Sequence, residues 1–186
     1  MKNYPWGGEV LFMGKVLLSK DIPWYYLPVW IGITTPLFYL FLFLTGIITL
    51  FISFIRKPIQ FLFSRKQDSL FFIAVMLPLI AIWYLKSIVY DSWRHVYFIY
   101  PFILIIALHG FELFYKPERI FGINRFSRMI KAAFLLVTFI AVSSILMSMT
   151  KIHPYQQVYF NRLAGENLKS IKQKYELDYW GLSYRQ

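Results

Sequence analysis

Cysteine is absent from the 186 residues. That excludes a disulfide framework and any thiolate-ligated metal, whatever compartment the chain occupies. Acidic side chains are scarce, with nine Asp and Glu against twenty Lys and Arg. The sequence contains no DxD motif and no clustered His and Asp ligands, so it calls for no divalent metal or other cofactor. Internal repeats and low-complexity linkers are also missing. The opening stretch MKNYPWGGEVLFMGK lacks a basic region followed by an apolar run and a small-residue cleavage site. It does not read as a signal peptide.

What is present is apolar. Hydrophobic residues make up 58% of the chain, aromatic residues 21%, and the mean hydropathy is +0.51. Soluble domains run nearer about 45–50% apolar, so composition points to a membrane protein. A helix rises about 1.5 Å per residue, and roughly 20 apolar residues cross a hydrocarbon core. Four segments meet that requirement, at about 29–55, 70–90, 96–115 and 129–149. The expected fold is therefore an all-α polytopic bundle of four spans. It is preceded by an outer segment, 1–28, and followed by another, 150–186. Pro36, Pro78 and Pro101 fall in or at the ends of three spans, which membrane helices tolerate.

Orientation follows the Lys and Arg of the short loops. The loop RKPIQFLFSRKQD carries Arg56, Lys57, Arg65 and Lys66, and KPERIFGINRFSRMIK carries Lys116, Arg119, Arg125, Arg128 and Lys131. The turn between them has only Lys86 and Arg94. Both rich loops are expected on the cytoplasmic side of an inner membrane, with the sparse turn and both termini outside. Nine of the twenty basic residues thus serve as topological signals, which removes most of the case for nucleic acid.

The outer pieces combine aromatics with a few charges. VYDSWRHVYFIYP places Asp91, Trp93, Arg94 and His95 at a helix entrance. Arg94 has two readings: an ion pair with Asp91 at i, i+3, or a phosphate contact at a helix start. Lys86 either snorkels from the second helix end or adds a second phosphate contact. Trp24, Tyr25, Tyr26 and Trp30 fit an interfacial aromatic belt. Glu176 and Asp178 alternate in YELDYW, so a strand would point both the same way. Such a pair serves acid–base chemistry on sugars or simply binds hydroxyls. His153 reads as structural. His109 and Glu112, at i, i+3, form either a relay or local hydrogen bonds. The spans hold almost nothing else ionisable, which argues against ion-coupled transport.

The runs GEVLFMGKVLLSKDIPWYYLPVWIGITTPL, YDSWRHVYFIYP, HPYQQVYFNRLAGE and YELDYWGLSYR, in that order, resemble bacterial polytopic glycosyltransferases of the GT-C superfamily. The branch is that of dolichyl-phosphate-mannose protein mannosyltransferases and the lipid A aminoarabinose transferase. The resemblance implies sugar transfer from a polyprenyl-phosphate donor at the outer leaflet. It implies phosphate contacts from Arg94, Lys86 and His95, with sugar or lipid contacts from Trp24, Tyr25, Tyr26, Trp93, Tyr179 and Trp180. Asp91, Glu176 and Asp178 are the candidate catalytic carboxyls. The family's usual catalytic acid lies in an earlier outer loop. The chain is accordingly expected to be a C-terminal portion of such an enzyme, inactive alone, with a partner chain carrying the missing half. The alternative is a non-enzymatic membrane subunit or scaffold that binds lipid or a partner protein.

Overall fold

The computed structural model describes residues 8–177. Asp178, Tyr179 and Trp180 lie outside them, so the paired-carboxylate reading of YELDYW stands on Glu176 alone. The chain divides into two compact units. One gathers residues 8–36, 76–98 and 152–177 of those described, and the other holds Leu37–Val75 and Ile99–Lys151.

Among the described residues, four helices are long and apolar enough to cross a membrane: Leu37–Arg56, Lys66–Tyr84, Arg94–Tyr115 and Arg125–Lys151. This is a mostly helical architecture compatible with a multi-pass membrane protein, with differences from expectation that have physical causes. The 29–55 segment is not one helix. It divides into α1 (Tyr26–Thr34) and α2 (Leu37–Arg56). Pro36 has no N–H to give and forces the residue before it out of the helical region. Thr35 accordingly sits extended, at φ −94° and ψ 135°. A short α3 (Pro58–Ser64) follows, then α4 (Lys66–Tyr84). The second span therefore starts and stops earlier than the expected 70–90. Pro78 is accommodated inside it.

The third span opens with a 3₁₀ stretch, Arg94–Ile99, before α5 (Tyr100–Tyr115), with Pro101 in the first turn, where its missing N–H does no harm. A one-turn α6 (Glu118–Phe121) leads to α7 (Arg125–Lys151), longer at both ends than the expected 129–149. Asn124 begins α7. Its side chain accepts from the Ser127 N–H at 2.8 Å, and its own N–H donates to the Ser127 hydroxyl at 3.2 Å.

The helical unit is organised by α2 and α5. A Cβ on Gly46 would lie 2.1 Å from the Ile106 carbonyl oxygen, and one on Gly110 would lie 2.0 Å from that of Leu42. Two glycines thus let the backbones touch, the device by which helices associate in lipid. Leu42, Ala107 and Phe134 form the buried cluster beside this crossing, ringed by Phe38, Phe43, Phe111 and Phe114. Most of α7 is open, with only Ser127 and Phe134 buried.

The other unit contains an element that the all-α expectation omitted. Glu9–Phe12 (β1) and Lys15–Leu18 (β2) pair antiparallel, joined by Met13 and Gly14, both with positive φ. Val10 and Phe12 are buried on one face. The chain returns after α7 to pin this hairpin: the Gly14 N–H donates to the Lys174 carbonyl at 3.0 Å, and Phe12 bridges to Tyr175. A short α8 (Leu168–Lys172), capped by the Asn167 side chain, precedes that contact.

Candidate functional site

Two features of the hairpin-containing unit carry chemistry. The first is a cleft of about 550 Å³. Met76, Leu79, Ile80 and Trp83 form one wall, at the i, i+3, i+4, i+7 spacing of a single face of α4. The Ile22–Pro28 segment forms the other, and Lys20, Asp21 and Lys86 add charge to the lining. The volume falls in the range of about 300–1,000 Å³ that takes a small organic ligand. An apolar trough with cations suits an amphipathic molecule with an anionic head.

The backbone at Lys86 is unusual. The Ser87 N–H donates to Ile82 O at 3.0 Å, and the Lys86 N–H donates to Trp83 O at 3.3 Å. This is the Schellman pattern that closes a helix, in which the residue at Lys86's place is left-handed and most often glycine. Lys86 occupies it at φ 49°. A side chain there costs about 1 kcal/mol or more relative to glycine. Asp91 and Ser92 are also left-handed, at φ 51° and 65°. Three non-glycine residues with positive φ between α4 and Arg94 concentrate backbone strain in one loop, and such strain gathers at functional sites.

The second feature is a polar cluster around that loop. Asp91 and Arg94 pair at 3.1 Å, so the i, i+3 reading is realised. The Arg94 guanidinium lies over the Tyr90 ring at 4.8 Å, and His95 meets the same ring edge-on at 4.7 Å. The Ser92 N–H donates to the Tyr26 hydroxyl at 3.2 Å. Glu176 accepts from the Leu11 N–H at 3.3 Å, while its other carboxyl oxygen is buried and finds no hydrogen-bond partner among the described residues. Burial pushes the Glu176 carboxyl above the usual range, and the charge of Asp91 adds to the rise. Burial raises Asp91 as well, against the opposing pull of Arg94 and then His95. Tyr26 is raised by burial and then by Glu176. Burial thus disfavours the charged form of both carboxyls, offset at Asp91 by the Arg94 guanidinium beside it.

The expected site residues separate into groups. Lys86, Trp24 and Tyr26 line the cleft. Arg94, His95 and Asp91 belong to the polar cluster and do not line the cleft. Tyr25 packs on Trp24 and Phe12. Trp93 is interior rather than sugar-facing: it is 4% exposed, and its indole N–H donates to the Thr34 hydroxyl at 2.9 Å. Tyr26 is likewise buried, its ring packed against Phe12 and Trp30. His153 accepts from the Gln156 side chain, a local contact. His109 and Glu112 do not form a relay. Glu112 pairs with Lys116 and lies 3.6 Å from Arg119, while His109 meets Asp68 at 2.7 Å.

Sequence reasoning missed Asn161. Its buried amide donates to the Gly32 carbonyl at 2.6 Å and to that of Thr35 at 2.7 Å, groups left open where Pro36 ends α1. An asparagine has no local signal for partners some 126 residues away. It also missed Asp68, which binds Arg65 as well as His109. Comparison of the chain with protein-family models, curated proteins and solved structures finds no match.

Proposed function

We propose that this chain belongs to a membrane glycosyltransferase that moves a sugar from a polyprenyl-phosphate donor to an acceptor at the outer face of the cytoplasmic membrane, and that it supplies the donor-lipid site. The observation that carries the reading is Lys86. A lysine is held in a conformation that glycine would adopt without strain, at the edge of an apolar cleft. The isoprenoid would lie along Met76, Leu79 and Ile80, with its phosphate at Lys86. Trp24 is 69% exposed on the same cleft and offers a face for the sugar ring. Glu176 and Asp91 are the carboxyls available for proton transfer to or from a hydroxyl.

A second reading, a subunit that binds lipid without chemistry, has its own support. Asp91 is engaged by Arg94, and Glu176 ties down the backbone of Leu11, so both carboxyls already have structural roles. The two readings separate in membranes of the native host, where the missing half and the acceptor are present, loaded with polyprenyl phosphate bearing a radiolabelled sugar. Transfer requires label to leave the lipid, and Lys86→Ala should lower that rate about tenfold or more, since a charge-assisted contact contributes about 1.5–3 kcal/mol. Lipid retained without release of label supports the subunit. Neither retention nor release overturns both.

A further inference from the structure

The helical unit holds a second surface that the sugar-transfer reading does not use. The seven-residue α3 joins two helices long and apolar enough to span a membrane, which would set it where the membrane meets water. Its Phe61 is 2% exposed and packs on Phe54 and Phe72, fixing the elbow to the helices on either side. The remaining apolar side chains turn outward: Ile59 is 74% exposed and Phe63 is 70% exposed. Arg56, Lys57, Arg65 and Lys66 flank them, all exposed. Next to the elbow is a shallow polar bowl of about 430 Å³, lined by residues 63–68. The one acid in it, Asp68, is already shared by Arg65 and His109.

The other basic loop is different. There Lys116 and Arg119 are met by Glu112, and Lys131 covers the Tyr115 ring at 4.3 Å. At the elbow, Arg56, Lys57 and Lys66 form no ion pair among the described residues, the nearby Asp68 being taken by Arg65 and His109. Outward apolar side chains between uncompensated cations are what an interfacial helix presents to anionic headgroups.

We infer that α3 is an interfacial helix which inserts Ile59 and Phe63 among acyl chains and gathers anionic phospholipid headgroups on Arg56, Lys57 and Lys66. The occupant is the lipid surface itself, fixed by charge complementarity and by the spans on either side. None of these residues belongs to the cleft or the polar cluster.

The test places a reporter on the elbow. Full-length protein carrying Phe63→Trp is put into phosphatidylcholine nanodiscs doped with brominated phosphatidylglycerol or, at equal mole fraction, brominated phosphatidylcholine. The fluorescence quenched is read against the parent protein. The brominated anionic lipid should quench the added tryptophan severalfold more, with the excess shrinking at high salt. Lys57→Gln with Lys66→Gln should bring the quenching by the two lipids close to equal, since each cation near an anionic surface accounts for up to about fivefold. Equal quenching by the two lipids, quenching by neither, or an excess that survives the double substitution would overturn the inference. Ile59→Trp repeats the measurement where Phe63→Trp disturbs folding.

Discussion

Each of the two units of this chain is held together internally by its own physics. In the helical unit the decisive contact is backbone on backbone, where Gly46 and Gly110 let α2 and α5 meet without side chains between them. Few polar groups are involved, and Thr45 returns its hydroxyl to its own helix at Leu42 O, 2.8 Å away. In the hairpin-containing unit the contacts are side chain on backbone across long sequence separations. Asn161 closes α1, Glu176 holds β1, and Tyr26 receives the Ser92 N–H. Aromatic rings fill the space between, with Trp30 5.5 Å from Tyr175 and Phe12 4.9 Å from Tyr26. A scaffold built on close approach tolerates little bulk. A site built on polar contacts tolerates little loss of hydrogen-bonding atoms.

The largest effect should come from adding bulk to the scaffold. Gly46→Leu drives a side chain into the Ile106 carbonyl, 2.1 Å from where its Cβ would be. The cost should be about 3 kcal/mol or more, above the usual range for overpacking because the obstacle is backbone. Unfolding in mixed micelles would show a large fall in stability. Next comes Asn161→Leu, which strands two carbonyls and should cost about 2–3 kcal/mol by the same measurement. The analogous substitution at exposed Arg162 should cost almost nothing.

Smaller, and sharper for function, is Lys86→Gly. Relief of the left-handed lysine should raise stability by about 1 kcal/mol. The same change should weaken binding of a polyprenyl phosphate. Stability and binding then move in opposite directions, which Lys86→Ala would not reveal.

The smallest effect is a pH slope. Burial raises the Glu176 carboxyl above its unfolded value. Its contribution to stability is therefore full below the ordinary carboxylate pKa and is lost as pH rises through the higher folded value. Asp91 shifts in the same direction. Stability should decline as pH rises through the mildly acidic range, and Glu176→Gln should flatten part of that decline in a pH series of unfolding curves.

The four long apolar helices were legible because length and hydropathy are local properties, and each long run of apolar residues carries them openly. The break at Thr35 was less visible, since a proline inside a span kinks one helix as readily as it separates two. The hairpin was hidden by its size. Two strands of four residues, GEVLFMGKVLL, show too little alternation to stand out beside spans of twenty. The Asp91–Arg94 pair was legible from its i, i+3 spacing. Trp93 was misplaced because a tryptophan beside charges reads the same whether it faces a headgroup or the interior. Its burial depends on Thr34, 59 positions earlier. The strain at Lys86 has no signature in residue identity, because a lysine ending a helix is ordinary and only its φ is not.

The central claim is that the cleft lined by α4 and Lys86 takes an isoprenoid with an anionic head. Its most direct test is native mass spectrometry of the full-length protein, released from detergent with polyprenyl phosphate and uncharged polyprenol at equal concentration. The account predicts one phosphorylated lipid per chain, retained about tenfold or more over the alcohol, with the preference lost in Lys86→Gly. Equal retention of the two lipids, or a preference unchanged by that substitution, would contradict it.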